Sequence, residues 1–427
     1  MRQPHPLLVL GAAFTLLVLL HSGFTPVFEA PDEVWHYAYV RWLSEGHGLP
    51  PLNNDLSGAH QEAAQPPLYY TVAAIISRQF SDDDLDEVRW HNPGFGYQAG
   101  GTRADNKNML IHPPEERWPW TGAVLAVHAT RLTSWLFGLI TVVAAWGLGW
   151  ETFGRRRAAL LTAALVAFQP QFVLLSSVVN NDAAAAALAT TGLWLIARTL
   201  RRGATYQLAI AGGIVTGLAA LTKTSLLLLG PLYAVVLAGV TLTQYRRERE
   251  KAGSRRLWAI LSLYGAVALV VGGGWYLRNA VRYGDPLGLT DHLQTQWGRP
   301  EPVPLWDLMP EVPLLLRSFW GAYGWGHVTW PDWLYVVLWG VHLALLAPAV
   351  GCILRYLCSL ARRRAQPPRR VSTSERLVLT MGLVALAWTL GILTALLRWM
   401  QQVEAPHGRL LFPALGAWSL LITLGIR

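Results

Sequence analysis

The sequence predicts an all-α fold, a polytopic transmembrane helical bundle of about ten spans, and three observations carry that prediction. The chain of 427 residues is 52% hydrophobic and only 14% charged. Its apolar runs reach the ~20 residues that one helical crossing of a ~30 Å hydrocarbon core requires. Short alternating segments of the kind that close a membrane β-barrel do not occur in the sequence. The predicted spans cover residues 6–24, 121–150, 157–176, 183–200, 205–222, 225–243, 257–277, 333–354, 377–397 and 410–425.

Orientation follows from the basic residues, because positively charged short loops stay cytoplasmic. Arg155–Arg157, Arg201 and Arg202, the run RRERE at 246–250 with Arg255 and Arg256, and the cluster RRRAQPPRR at 362–370 fall on one side. Only Glu151, Glu248, Glu250 and Glu375 accompany them. The expected location is the plasma (inner) membrane, multi-pass, with the N-terminus cytoplasmic and the working face outside. The net charge of +9 is then a topology signal. Nucleic acid is excluded as a partner, since its binding needs basic residues on one folded face with stacking aromatics. The first 24 residues read as an uncleaved anchor, because no small-x-small cleavage site follows them. Cys352 and Cys358 lie near the inner end of the eighth span. That position excludes a disulfide framework or a thiolate metal site in the outer loops.

The spans and loops are read as one domain, 1–427, with two long outer segments, 25–120 and 278–332. In the first, residues 32–45 place Val34, Trp35, Ala38, Tyr39, Trp42 and Leu43 at helical spacing, and residues 66–80 form a second apolar stretch. Both read as helices lying at the interface. The acidic, glycine-containing run 81–107 reads as a solvated surface loop. In the second outer segment, SFWGAYGWGHVTWPDW at 318–333 is either an interfacial aromatic belt or a packed turn covering a site.

The outer side gathers chemistry. Asp32 and Glu33 follow Pro31, and His36 lies one turn after Asp32. First-turn acids behind a proline are also what helix capping favours. Asn180, Asn181 and Asp182 open the fourth span and suit a polar cap equally well. Short outer loops should be poor in basic residues, yet Lys223, Arg278, Arg409 and the pair His128 and Arg131 all sit at outer span ends. Any one of them can snorkel to headgroups; together they form a cation cluster opposite the acids.

Outward carboxylates, outward cations and an aromatic pocket suit one chemistry. A sugar carried on a polyprenyl phosphate already has a stable leaving group, so cations suffice there. What remains is one carboxylate to take the proton from an acceptor hydroxyl. A glycoside hydrolase would instead need two carboxyls flanking the bond. The donor phosphate is expected to meet Lys223, Arg278, Arg409, Arg131 and His128. Gln65, Tyr69, Asn181, His407, Trp320 and Trp325 are expected to line the pocket.

The motifs EAPDE (29–33), QPPLYY (65–70), NNDA (180–183), LTKTS (221–225), FWGAYGW (319–325) and HGRLLFPAL (407–415) together resemble the GT-C superfamily of membrane glycosyltransferases. Protein O-mannosyltransferases and the lipid A aminoarabinose transferase are relatives in it, and the wording is closest to a bacterial integral-membrane group whose function is largely unassigned. The resemblance spans nearly the whole chain. It implies a GT-C type fold, a polyprenyl-phosphate-linked sugar donor, a lipid, glycan or protein acceptor, and inversion at the anomeric carbon. It also implies Asp32 as catalytic base, Glu33 as companion acid, Asp182 as the second acidic motif, and Lys223 and Arg409 near the donor phosphate. His36 stands where the aminoarabinose transferases differ, so its catalytic role is an expectation of position alone. Some GT-C enzymes require a divalent metal; here it would fall to Asp32, Glu33 and Asp182, although no ligand set stands out in the sequence. Two other readings compete. A transporter or lipid flippase calls for broken helices and mid-span charges, of which the glycines 272–274 in the seventh span are the nearest sign. A non-catalytic cell-envelope assembly protein would keep the fold without the chemistry.

Overall fold

A computed structural model describes residues 5–52, 54–95, 108–248, 253–362 and 372–427. Most of the basic cluster at 362–370, the end of RRERE and residues 96–107 of the acidic run lie outside the described residues. In chain order the helices are α1 (Pro6–Phe24), α2 (Glu33–Ser44), α3 (Leu68–Ser77), α4 (Gly122–Phe153), α5 (Arg156–Ala167), α6 (Pro170–Leu175), α7 (Asp182–Arg202) and α8 (Tyr206–Ala220). They continue with α9 (Leu229–Glu248), α10 (Gly253–Tyr283), α11 (Leu289–Leu293), α12 (Val312–Trp320), α13 (Asp332–Arg362), α14 (Thr373–Met400) and α15 (Leu415–Ile426). A two-stranded antiparallel hairpin, β1 (Ala322–Tyr323) with β2 (Val328–Thr329), interrupts the run.

Among the described residues, eight helical segments are long and apolar enough to cross a membrane. The chain is a multi-pass membrane protein. Two of the ten predicted spans have another form. The one at 157–176 breaks into α5 and α6, because Pro170 supplies no N–H and holds Gln169 in extended backbone, ψ 115°. Gln169 and Gln171 use the break to bond the Phe319 carbonyl and the Ala322 N–H, anchoring the aromatic corner between α12 and β1. The span at 205–222 becomes the 15-residue α8. The glycines 272–274 do not interrupt α10. Gly272 instead lets α10 approach α8, since a Cβ there would stand 2.8 Å from the Gly217 carbonyl oxygen. Small residues at such crossings permit close packing.

The cap built from the segment between α1 and α4 has its own core, with Phe28, Tyr37, Tyr39, Tyr69 and Tyr70 buried together. The acids 82 and 84 belong to that cap and are not simply solvated: Asp82 accepts from the Tyr37 hydroxyl at 2.9 Å and Asp84 from the Ala123 N–H at 2.8 Å. Both predicted loop helices form, as α2 and α3. A strap from the segment between α10 and α12 closes on the end of α14, with Arg299 N–H donating to Gln402 and Val303 N–H to Gln401.

Candidate active site

Four turns at one end of the bundle converge on one cavity of about 690 Å3. The first is the entry to α2. Phe28 and Asp32 both adopt left-handed backbone, φ 66° and 65°, which folds Glu29–Pro31 back on itself. Aspartate tolerates that region better than most residues. An aspartate before a first turn usually bonds one of its N–H groups. The Asp32 side chain makes no such cap and lines the cavity.

The second turn is Asn180–Asp182. Asn180 Oδ1 accepts from the N–H groups of Asp182 and Ala183 at 2.9 and 3.2 Å, and its amide donates to the Leu175 and Val178 carbonyls. Asp182 thereby becomes the first residue of α7, where the positive helix end favours a carboxylate. The third turn holds Lys223, between α8 and a 3-10 turn at Thr224–Leu228. The fourth is the 3-10 turn Gly408–Ala414, which carries Arg409. A Cβ on Gly408 would stand 2.4 Å from the backbone of Leu315 and Phe319, so glycine is what lets this turn sit on α12.

The four side chains form one network. Arg409 donates to Asp32 and, at 3.4 Å, to Asp182; Lys223 Nζ pairs with Asp182 at 2.5 Å. Arg409 is 6% exposed, and its Nε has no hydrogen-bond partner among the described residues. Beside the network, His36 Nδ1 lies 2.9 Å from the Tyr70 hydroxyl and 3.3 Å from a Glu62 oxygen, while the Tyr70 hydroxyl donates to Glu62 at 3.1 Å. Burial raises the affinity of Asp32 for a proton, but Arg409 and then His36 more than reverse it, holding the carboxyl below the usual aspartate range. Burial and the charge of Asp32 push Glu62 the other way, up to about 8. Burial also brings His36 and His407 down to about 4. At neutral pH the cavity therefore holds an ionised Asp32 beside a protonated Glu62 and neutral imidazoles. The far wall is apolar, with Leu227, Leu314, Ile392, Leu396 and Trp399.

By sequence, residues 120–271 match the family described as dolichyl-phosphate-mannose-protein mannosyltransferase, and no curated protein is matched over the chain. By structure, ArnT from Cupriavidus metallidurans in the apo state superimposes with a TM-score of 0.54 at 17% identity, over 98% of this chain and 59% of that one. The chain has the GT-C fold. The undecaprenyl-phosphate-bound ArnT of the same organism gives 0.51 at 18% identity, over 98% of this chain and 60% of that one. The chain thus spans about three fifths of the length of the structures it matches.

The cavity is lined by Asp32, His36, Asp182, Lys223, Arg409, Gln65, Asn181, His407 and Trp325. Trp325, at the hairpin tip, donates to the Phe28 carbonyl at 3.2 Å and meets Trp35 edge to face, so this tryptophan covers the cavity while Trp320 does not. Trp320 packs with Phe319, Trp339 and His342. Several expected residues lie elsewhere. Glu33 and Arg131 face each other, 0% and 1% exposed. Glu33 also accepts from the Phe28 and Val179 N–H groups, and Arg131 donates to the Ser22, Thr25 and Pro26 carbonyls. That pair is saturated, so neither a companion-acid nor a phosphate role suits it. His128 stacks on Trp120 at 3.6 Å. Arg278 bonds Asn279 and the Pro50 carbonyl and lies over the Tyr283 ring. Tyr69 supports the second turn by accepting from the Asn180 N–H at 3.1 Å.

The metal set Asp32, Glu33 and Asp182 also changes. Among the described residues the group able to hold an ion is Asp32, His36 and Glu62, whose ligand atoms lie within 4.8 Å of one another. Two carboxylates and an imidazole form a donor set that suits a divalent transition metal. Sequence reading missed Glu62, Tyr70 and His292, all of which touch the site. The signal for the first two was the stretch EAAQPPLYY at 62–70, in which Gln65 and Tyr69 alone were singled out.

Proposed function

We propose that this chain is an integral membrane glycosyltransferase that moves a sugar from a polyprenyl-phosphate donor to an acceptor hydroxyl on the outer face of the membrane, with inversion. The observation that carries the proposal is the cavity itself: an ionised, uncapped Asp32, the buried Arg409 and the part-buried Lys223 meet in a cavity that also has an apolar lining. ArnT, of like fold, is known bound to undecaprenyl phosphate, which supports the same donor class here. The apolar wall suits the prenyl chain, and Lys223 and Arg409 suit its phosphate.

Asp32 takes the acceptor's hydroxyl proton as the oxygen attacks the anomeric carbon. The bond from that carbon to the phosphate oxygen breaks, and its electron pair leaves with the phosphate. Lys223 and Arg409 stabilise the charge that collects there. A single displacement from the opposite face inverts the centre. His36 and Glu62 border Asp32 and orient the acceptor; Asp32, His36 and Glu62 are also the residues that would hold a divalent metal, which would supply positive charge toward a phosphate. The acceptor is a lipid, glycan or protein hydroxyl.

Transfer from a radiolabelled polyprenyl-phosphate sugar, in membranes supplied with envelope extract, tests the reading. Asp32→Asn loses transfer while keeping the thermal stability of the unaltered protein. Full transfer by that variant would falsify the assignment of the base.

A further inference from the structure

The phosphate-binding cations are not free in this structure. Each is already engaged by a carboxylate: Arg409 by Asp32 and Asp182, and Lys223 by Asp182. The four groups sum to no net charge, all four line the cavity, and Arg409 keeps one unpartnered donor, Nε. An arginine that is buried and short of one acceptor meets its remaining need from a ligand that brings oxygens. Meanwhile the carboxylate that must accept a proton is held through Oδ2 by that same arginine, and a guanidinium bonded to a carboxylate engages its negative charge and weakens it as a base.

We infer that donor binding arms the base: the donor's phosphate displaces Asp32 from Arg409, so that Asp32 is released to the acceptor only once the sugar donor is seated. The inference rests on the proposed donor class and adds the order of events. A phosphate oxygen accepts the Arg409 N–H that Asp32 now holds, and a second oxygen accepts from Nε, giving the bidentate arrangement that guanidinium and phosphate favour. Asp182 stays with Lys223 and keeps the cation pair in place throughout. Asp32, deprived of its arginine, then faces the acceptor with both oxygens free and its charge unpaired. Among the described residues its uncapped side chain has no other hydrogen bond that the exchange would have to break. A base held by an arginine until the donor arrives is a weaker base toward water in an empty cavity.

Equilibrium binding of undecaprenyl phosphate to the full chain in nanodiscs tests this, with undecaprenol as the phosphate-free control. The unaltered protein prefers the phosphate over the alcohol. Asp32→Asn, which loosens the hold on Arg409, binds the phosphate about tenfold more tightly and the alcohol no differently. Removing a negative charge strengthens anion binding in any case, so the deciding measurement is the cycle with Arg409→Gln. In that background only the general charge effect remains, so Asp32→Asn tightens binding several-fold less than it does with Arg409 present if the two residues exchange partners. Tightening of equal size with and without Arg409, or none in its presence, overturns the exchange while leaving the phosphate site intact. Equal affinity of the unaltered protein for phosphate and alcohol overturns both the exchange and the donor class. Thermal unfolding of each variant confirms that binding is read on folded protein.

Discussion

Asp32 and Glu33 are consecutive residues, and each meets an arginine, yet the two pairs do opposite work. Glu33 and Arg131 are sealed, and their hydrogen bonds satisfy both carboxylate oxygens and all three guanidinium nitrogens. Asp32 keeps 22% of its side chain exposed to the cavity, and Arg409 keeps an unpartnered Nε. A saturated pair is a fastener: it ties the end of α1 to the start of α2 and, through the Val179 N–H, to the turn before α7. An unsaturated pair at a cavity wall retains binding capacity, which a substrate can use. The difference arises from backbone. The left-handed turn at Asp32 swings its side chain one way, and the helical Glu33 then points the other.

That contrast can be broken by experiment, and the largest effect expected is on catalysis. Asp32→Asn lowers transfer by about 10²–10⁴-fold, the range general-base removal typically costs, with unfolding temperature unchanged in the same nanodiscs. Glu33→Gln does the reverse. Leaving Arg131 buried without its countercharge costs roughly 3–5 kcal/mol, read as a drop in unfolding temperature and in membrane yield. A Glu33→Gln protein as stable as the parent would break the fastener reading. Gly408→Ala comes next: its methyl group collides with the α12 backbone, and overpacking of this kind costs about 1–3 kcal/mol. Because that turn carries Arg409, undecaprenyl-phosphate affinity falls with it, measurable by titration.

Two smaller effects sharpen the comparison. Glu62 already holds a proton at neutral pH, with burial and Asp32 pushing it up to about 8. Glu62→Gln therefore changes transfer by no more than a few-fold at pH 7, unless a metal is held by Asp32, His36 and Glu62. Loss of activity in the parent on treatment with a chelator, reversed by added manganese, would reveal that case. The smallest effect concerns the fastener at the other side of Asp32, where His112 bridges Glu29 and Glu116 at 3.0 and 2.7 Å. Burial lowers its proton affinity, but Glu116 and then Glu29 outweigh that and raise it to about 9. A raised histidine contributes its stability in full below its unfolded value, about 6.5. The contribution is lost as pH climbs through about 9. Thermal unfolding followed from pH 6 to 10 declines for this reason in the parent, and the corresponding part of the decline is absent in His112→Gln.

Much of this was legible in the sequence, and the remainder was not for identifiable reasons. Apolar run length gave the membrane spans, because the bilayer imposes one length on every helix that crosses it. It failed at 157–176, where hydropathy cannot register that Pro170 splits the run. The site was half legible. Asp32, Asp182, Lys223 and Arg409 stood out as charges at outer span ends, and all four share the cavity. Arg131, Arg278 and His128 stood out by the same criterion, yet they are absorbed by Glu33, Pro50 with Tyr283, and Trp120. Charge and topology identify which side of the membrane a residue occupies, and they are blind to its partner.

The sequence by itself thus determined eight bilayer-length helices and the charges near their ends from which a site can be built, because these follow from local composition and from the solvent. Only the tertiary structure decided which acid meets which cation. Residues 32 and 409 lie at opposite ends of the chain and become partners through a left-handed turn before α2 and a glycine that lets the last 3-10 turn sit on α12. Pairing at that range depends on side-chain direction, and side-chain direction depends on backbone angles that neighbouring residue types constrain only loosely.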